Sequence, residues 1–356
     1  MRKAFLDMNR LVIIGNGFDL AHGLPTSYKD FIEDYLVEKA NVFLNERVYE
    51  DTLLSIKLKE RVSLDSIPKF KNINEVINFF KNSNRATSFS YKSIFFESLK
   101  NKIDKITWVD IESEYFENIL KCKDRHGFFD YSKVTKLNNE FEYLKKLLEI
   151  YLLKLKPKSI KLKGNYRRLF CDLIKKEDVV FKEIEQDNLP KQLLFLNFNY
   201  TNTISNYYSE CNRVISSEIN YIHGALQDMD NPIIFGFGDE YDKNYKNFED
   251  EKNNILFKHI KSFNYFKTQN YHNLIRFIDS DDFQVYIFGH SCGLSDRTML
   301  KEIFENEKCI SIKIFYYKED EDTNDYVEKT MEIARHFEDK GLMRKKIVPF
   351  PLSNSM

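Results

Sequence analysis

The segment from Leu11 to Tyr28, which reads LVIIGNGFDLAHGLPTSY, constrains the fold more than any other part of the chain. Its apolar start stops at two closely spaced glycines, Gly15 and Gly17, and a polar turn then leads into a helical pattern that begins at Tyr28. This order predicts a buried strand, a tight loop and a helix. The glycines would let the loop approach a ligand closely, and free N–H groups ahead of a helix can hold phosphate oxygens. The segment is typical of a nucleotide site, although a strand-to-helix connection that needs glycine only for its geometry would use the same residues.

The spacing of these glycines argues against one class of nucleotide enzyme. The dinucleotide fingerprint places a third glycine three residues after the second, and this chain has Leu20 at that position. A hydride-transferring dehydrogenase is therefore not indicated.

The charges of the chain are balanced, with 54 Lys and Arg against 55 Asp and Glu among 356 residues and a net charge of −1. No bulk field then draws the protein to nucleic acid or to an anionic membrane, so we expect neither as a partner. The five cysteines are scattered without a C-x-x-C pair, which supports neither a disulfide framework nor a cysteine zinc site. No metal-ligand spacing is formed by His126, His259, His272 and His336, and we expect no metal.

The first residues of the chain lack the apolar region and the cleavage site of a secretory signal. No apolar run reaches the roughly 18 residues that would cross a membrane. We therefore expect a cytoplasmic protein with no membrane association.

The pattern of the chain changes near Pro190. Helical patterns dominate residues 31–189, whereas short β-rich runs alternate with helical patterns afterwards. The later runs predict strands over residues 192–197, 219–223, 233–237, 284–289 and 310–317. The helical patterns between and after them cover residues 201–209, 255–278, 295–306 and 325–337. Such alternation favours a mostly parallel sheet with helices on both faces.

These patterns predict an α/β fold, Rossmann-like, with a mostly parallel sheet and a large helical insertion. The nucleotide-binding core would comprise residues 1–30 and 190–340, because the strand at Leu11 would join the later strands. Residues 31–189 would form the helical insertion. Residues 341–356 form a C-terminal tail, and we expect its residues 349–356, which show no periodicity, to be poorly ordered.

Polar and glycine-rich clusters follow four of the predicted strands. Because ligands of open α/β sheets bind outside the carboxyl ends of the strands, these clusters mark a candidate site. They are Gly15-Asn16-Gly17-Phe18-Asp19, the run from Asn197 to Asn202, His223-Gly224, and Gly289-His290-Ser291 followed by Asp296.

The order of these clusters along the chain, and the residues in them, resemble those of the AbiH-type abortive-infection proteins of bacterial antiphage defence. The shared landmarks are GNGFDLAHGLPTSY, NFNYT, HG and GHS-x-x-x-x-D. The resemblance spans most of the chain and implies a role in defence against phage.

The α/β core also resembles, more distantly, the NAD-binding fold of the sirtuins. The sirtuin loop pattern G-A-G-x-S-x-x-x-G-I-P aligns without a gap so that Gly15, Gly17, Gly23 and Pro25 coincide. The chain departs from that pattern at Thr201, where sirtuins have aspartate, and at Thr26-Ser27-Tyr28, where they have Asp-Phe-Arg. The cysteine zinc module of the deacylating sirtuins is absent from the sequence between residues 224 and 288. The resemblance therefore implies a pocket that cleaves NAD rather than a peptide deacylase.

This resemblance assigns roles to the strand-end residues. His223 would activate water or a ribose hydroxyl, and Asn199 would position the ribose or that water. The residues expected to bind the nucleotide are Gly15, Asn16, Gly17, Phe18, Asp19, Pro25, Thr201, Gly289, Ser291 and Asp296. Breaking the nicotinamide–ribose bond passes through an oxocarbenium-like state whose leaving group already carries the positive charge, so no strong general acid is required.

Structural roles for the same residues stay open. His223 could hydrogen-bond a neighbouring loop, Asn199 or Thr201 could cap the following helix, and Asp296 could cap a helix as well. His22 and His290 could line the site or serve only their loops.

The two resemblances thus imply an abortive-infection effector that binds NAD as its substrate and hydrolyses it. An unregulated NAD hydrolase would poison its own cell, so a trigger such as a phage-derived one, an inhibitory assembly or a partner is implied, and the aromatic-rich helices would suit a homo-oligomer. Two alternatives remain: a non-catalytic sensor of a nucleotide or phage component that signals through the helical insertion, and a nuclease or RNA-targeting toxin, which would need a basic cleft.

Overall fold

The computed structural model describes residues 8–59, 67–102, 108–155, 162–180, 184, 186–320 and 322–356, with the backbone alone for residues 108–110. Nine strands form within these residues: β1 Asn9–Ile14, β2 Val48–Glu50, β3 Leu54–Leu58, β4 Thr87–Tyr91, β5 Gln192–Asn197, β6 Ser216–Tyr221, β7 Phe283–Phe288, β8 Cys309–Tyr316 and β9 Asn354–Ser355. The α-helices of the same residues are α1 Asn16–Ala21, α2 Tyr28–Glu46, α3 Ile73–Asn82, α4 Ile94–Asn101, α5 Trp108–Lys121, α6 Tyr131–Lys154, α7 Gly164–Phe170, α8 Ser205–Cys211, α9 Tyr245–Glu251, α10 Lys261–Asn264, α11 Asn270–Ile278, α12 Arg297–Glu305, α13 Tyr326–Ala334 and α14 Lys340–Lys346. None of these described helices is both long and apolar enough to cross a membrane.

Six of the strands form one parallel sheet in the order β6-β5-β1-β7-β8-β9. Counted along the chain, these strands run 3-2-1-4-5-6, which is the order of doubly wound dinucleotide-binding folds. The strand order reverses between β1 and β7. The prediction of a Rossmann-like, mostly parallel α/β sheet is therefore confirmed.

Alternation along the strands explains why helices cover both faces of this sheet. In β1, Leu11 and Ile13 enter one buried cluster with side chains of α11, α12 and α13, whereas Val12 and Ile14 enter a second cluster on the opposite face. The helices α7 and α8 pack on that second face, where Phe170 is fully buried. Burying each such side chain stabilises the fold by roughly 1.5–3 kcal/mol.

The chain separates into two compact units. The first consists of Met1–Leu24, Pro157–Asn247 and Ile260–Met356 and contains the parallel sheet, and the second consists of Pro25–Lys156 and Phe248–His259. These bounds differ from the predicted insertion of residues 31–189, because α7 belongs to the sheet unit. The apolar side of α7 covers the sheet, and helical periodicity alone does not reveal which sheet or helix that side will meet.

The second unit is not entirely helical. It contains an antiparallel sheet in the order β2-β3-β4, which the prediction of a helical insertion missed. The apolar and polar residues of Leu54–Leu58 and of Thr87–Tyr91 alternate, and this alternation is the signal that could have revealed both strands. Beside the sheet, Asp51 accepts hydrogen bonds from the hydroxyls of Tyr35, Tyr49 and Tyr143 at 2.7, 2.7 and 3.1 Å.

Three local predictions were wrong. The strand predicted over residues 233–237 is a buried segment outside the sheet, joined to Ile260 by one isolated bridge at Phe237. The helix predicted over residues 255–278 is broken into shorter helices, including α10 and α11. Residues 349–356, expected to be poorly ordered, contain a 3₁₀ helix and supply β9 to the sheet.

Candidate functional site

The four strand-end clusters lie at one edge of the parallel sheet. Ile14 at the end of β1 pairs in register with Asn197 at the end of β5 and with Phe288 at the end of β7. Asn197 in turn pairs with Tyr221 at the end of β6. Because all four strands run in the same direction, the polar residues that follow them share the carboxyl edge, as expected.

The loops after β1 and β7 touch through their glycines at the point where strand order reverses. The Gly17 N–H donates to the Gly289 carbonyl oxygen at 2.8 Å, and the Gly15 N–H donates to that of Phe288 at 3.0 Å. A Cβ atom at Gly15 would lie 2.4 Å from the His290 Cα, and one at Gly17 would lie 2.8 Å from the Gly289 Cα. Close contact between two backbones is therefore what these glycines provide.

This contact changes the expected use of the loop. We expected the backbone N–H groups around Gly15 to Phe18 to be available to phosphate oxygens. Those of Gly15 and Gly17 are already bonded across the sheet edge, and the Phe18 N–H donates to the Gly15 carbonyl oxygen at 2.9 Å. A role of this loop in binding a nucleotide stays a prediction, and these three groups would have to exchange partners to serve it.

Asn199 and Thr201, which follow β5, form hydrogen bonds to the segment that follows β1. The Asn199 amide donates to the Gly15 carbonyl oxygen at 3.0 Å, and the Thr201 hydroxyl donates to the Asp19 carboxylate at 2.5 Å. Neither residue caps the following helix, since Ile204 holds the cap position of α8. Burial raises the pKa of Asp19 to about 6, although hydrogen bonds such as that from Thr201 oppose the rise.

His22 has a structural role in the segment that follows β1. One ring nitrogen, Nδ1, lies 2.7 Å from the Phe18 carbonyl oxygen and therefore carries the proton that it donates. The other, Nε2, is 2.6 Å from the Tyr207 hydroxyl, which also accepts the Lys163 N–H at 2.8 Å. Burial lowers the pKa of His22, in keeping with a neutral ring held by two partners.

A second group of polar residues surrounds Asp296. Its Oδ1 atom lies 2.7 Å from the Lys261 Nζ and 3.2 Å from the His223 Nε2. The His223 Nε2 is also 3.0 Å from the Tyr265 hydroxyl, and the His290 Nε2 lies 3.9 Å from the Asp296 Oδ2. All five residues are buried, with at most 8% of each exposed. We call His223, Lys261, Tyr265, His290 and Asp296 the Asp296 cluster.

Electrostatics fix the charges in the Asp296 cluster. Burial alone would raise the pKa of Asp296, but the Lys261 ammonium and His223 hold it well below its usual range, so the carboxylate is ionised. Burial, with Lys261 nearby, lowers the pKa of His223, and burial lowers that of His290 to about 3. Near neutral pH the cluster therefore contains one carboxylate, one ammonium and two neutral imidazoles.

The tautomer of His290 follows from its hydrogen bond. The Cys292 N–H donates to the His290 Nδ1 at 3.0 Å, so the proton of the neutral ring is on Nε2 and faces Asp296. The ring of Phe198 separates the two imidazoles, with centroid distances of 4.9 Å to His223 and 4.2 Å to His290. Both histidines thus pack against Phe198, the residue that follows β5.

A cavity of about 180 Å³ adjoins the Asp296 cluster. Asp296 and Tyr265 belong to both, and the cavity is otherwise lined by residues that include Glu240, Phe266 and Tyr271. Lys261 and Tyr265 were missed by sequence reasoning because both fall within the region predicted to be one long helix. A lysine among the apolar residues around Ile260 was the signal available, and it does not by itself indicate a site.

The structure divides the predicted site residues into groups. His223 and Asp296 come together in the Asp296 cluster, and Asn199 lies instead with Gly15, as Thr201 lies with Asp19. Pro25 belongs to the second unit, where its carbonyl oxygen accepts the Tyr151 hydroxyl at 2.6 Å. The remaining predicted residues also lie at the carboxyl edge, Asn16 and Phe18 in the short helix α1 and Gly289 and Ser291 in the loop after β7.

A doubly wound parallel sheet with a buried polar cluster and a small cavity at its carboxyl edge defines a Rossmann-like α/β protein. Within this class, the chain belongs to the AbiH family: the sequence model of that family, described as Bacteriophage abortive infection AbiH, matches residues 11–318. No curated protein and no solved structure gave a significant match.

Membership of this family confirms the resemblance to AbiH proteins and indicates a role in antiphage abortive infection. The more distant resemblance to the sirtuin core stays a prediction. So do the roles of the individual site residues.

Proposed function

We propose that this AbiH protein is an abortive-infection effector that cleaves a nucleotide at the carboxyl edge of its parallel sheet. The substrate to test first is NAD, and the proposed reaction is hydrolysis of its nicotinamide–ribose bond. The observation that carries the proposal is the meeting of His223 and Asp296, from two separate strand ends, in a buried cluster beside a cavity.

Hydrolysis of the nicotinamide–ribose bond places limited chemical demands on these residues. Since the nicotinamide leaving group carries the positive charge, the protein has to position the substrate and deliver water to an oxocarbenium-like state. A neutral His223 ring, whose Nε2–H faces Asp296, can accept a proton from that water only at Nδ1, and Asp296 orients the ring while stabilising any positive charge that it acquires. A correctly placed base of this kind contributes on the order of 10²–10⁴-fold to the rate.

A non-catalytic nucleotide sensor is the second candidate. The cavity of about 180 Å³ is smaller than the roughly 300–1,000 Å³ of most ligand pockets, and three N–H groups of the first loop are bonded internally. A sensor could bind part of a nucleotide in this small cavity, with the three N–H groups still bonded, and would need no complete catalytic site. It predicts that the ligand raises the stability of the protein without being consumed.

The test is the NAD content of cells that express the protein during phage challenge. We expect NAD to fall with the intact chain and to hold steady with His223→Gln or Asn199→Ala, each first shown by thermal unfolding to be folded. His126→Ala is the matched control, since His126 is exposed in the second unit. The proposal fails if the His223 variant depletes NAD as fast as the intact chain, or if NAD never falls while the cells still stop growing.

A further inference from the structure

The cavity beside the Asp296 cluster is of a size that suits a single ring. A cavity of roughly 150 Å³ in another protein accepts benzene, and this one measures about 180 Å³. It could therefore hold a six-membered ring with a small substituent, whereas a whole dinucleotide would not fit.

Three aromatic side chains line this cavity. Tyr265 and Tyr271 lie nearly parallel, with ring centroids 5.5 Å apart and an angle of 22° between the rings. Phe266 is 75% exposed and lines the same cavity. An apolar ring of this size that stays exposed beside a cavity is available to cover a flat ligand.

The charged residues described as lining the cavity are both acidic, Glu240 and Asp296. The Lys261 ammonium is bound to Asp296, so its charge is matched within the cluster and Glu240 leaves an excess of negative charge. Two neighbouring cations are also paired, Arg297 with Asp239 at 3.4 Å and Lys301 with Glu338 at 2.8 Å, and Lys267, which follows Phe266, does not line the cavity. The local field therefore favours a cation over a neutral or anionic ligand.

Aromatic faces add to this preference. The faces of tyrosine and phenylalanine rings are electron-rich and attract cations placed over them, by about 0.5–2 kcal/mol for each contact. We infer that this cavity binds a flat heteroaromatic cation of the N-alkylpyridinium class. The inference rests on the proposed nucleotide function and deepens it, because the nicotinamide ring of NAD is a cation of this class and would be the end of the substrate held here.

The experiment compares two probes of nearly the same shape, 1-methylnicotinamide, which is a cation, and nicotinamide, which is neutral. Both are titrated into the full-length protein by isothermal titration calorimetry. We expect the cation to bind at least about fivefold more tightly, as one or two cation–π contacts would give. We expect Phe266→Leu and Glu240→Gln to reduce that ratio, and Phe128→Leu, which removes a ring that is 67% exposed in the second unit, to leave it unchanged.

Equal affinities, no detectable binding of either probe, or a ratio unchanged by both cavity variants would overturn the inference. The result is separable from the test of NAD hydrolysis. Selective binding of the cation without loss of NAD would leave the cavity assignment standing and remove the hydrolase. Loss of NAD that depends on His223, without selectivity for the cation, would support the hydrolase and remove the cavity assignment.

Discussion

At the scale of single residues, the polar side chains of the buried strands are the least expected feature. Arg10 is fully buried in β1, where its guanidinium donates to the carbonyl oxygens of Phe170 and Asp172 at 2.9 and 2.6 Å and lies 4.1 Å from the centroid of the Tyr286 ring. Gln284 accepts from the same guanidinium at 3.1 Å. A charge buried in a strand persists only with such partners, and partners this distant in sequence leave no local pattern.

Asp19 gives a prediction about pH. Its folded-state pKa of about 6 lies above the ordinary value of 3.8, so the folded protein holds this proton more tightly than the unfolded chain. The contribution of the protonated carboxyl to stability is fully present below pH 3.8 and is lost as the pH rises to about 6. At about 1.36 kcal/mol per pKa unit, the loss is at most on the order of 3 kcal/mol.

We expect Asp19→Asn to remove this part of the pH dependence, because the amide does not ionise and can still accept from the Thr201 hydroxyl. The measurement is the free energy of unfolding in urea at about pH 4 and about pH 7 for both proteins. Asp230→Asn, at an exposed position, should keep the dependence of the intact chain. An Asp19→Asn protein with an unchanged dependence would show that burial does not perturb this carboxyl.

At the scale of elements, the loops after β1 and β7 act as one unit. Gly289 has φ +66°, a conformation that favours glycine, and a Cβ there would lie 2.2 Å from the Phe18 nitrogen. The local sequence predicted a tight loop after Ile14, and the structure has there a turn at Gly15 that leads at once into the short helix α1. The local sequence could not show that the turn would close on a second glycine loop more than 270 residues away, because that contact depends on the pairing of β1 with β7.

We expect Gly17→Ala to destabilise the protein by at least about 2 kcal/mol, because the added methyl group would force the two backbones apart. Gly164→Ala is the matched control, since a Cβ at Gly164 meets no atom within 4 Å at the start of α7. It should leave stability unchanged or raise it by up to about 1 kcal/mol. Chemical denaturation measures both, and equal effects of the two substitutions would contradict the role of the glycine contact.

At the scale of the whole molecule, the sheet is completed by residues from the far end of the chain. Asn354 and Ser355 in β9 pair with Phe315 and Tyr316 in β8, and the Met356 N–H donates to the Tyr316 carbonyl oxygen at 2.9 Å. Without β9, the hydrogen-bonding edge of β8 would be uncovered over these residues. An uncovered edge strand is a template for association between chains.

A chain that ends at Val348 should therefore be less stable and more prone to associate. We expect its thermal midpoint to fall by at least about 4 °C, since the truncation also removes the Phe350 ring, 5.2 Å from that of Tyr316. Light scattering would detect the association. Asn354→Ala serves as the control, because strand pairing uses the backbone and this side chain is exposed. A truncated chain with an unchanged midpoint and no association would rule out a structural role for β9.

Short-range sequence patterns were sufficient to predict several strands of this protein and the residues that follow them. The apolar runs predicted β5 with its observed bounds and placed β7 and β8 within one residue of theirs, because a buried parallel strand is a continuous apolar segment that ends at a turn. The same reasoning found the strand-end residues His223 and Asp296. The motifs after these strands were sufficient to indicate the AbiH family.

Only the tertiary structure decided what those residues contact. The strand order, the bonding of the Gly15 and Gly17 N–H groups, the placement of Lys261 against Asp296 and the entry of β9 into the sheet all depend on contacts between distant segments. Periodicity reports which side of an element is apolar, and it carries no information on which element that side will meet. The strands could therefore be predicted from the sequence, whereas the Asp296 cluster and its cavity could be identified only in the tertiary structure.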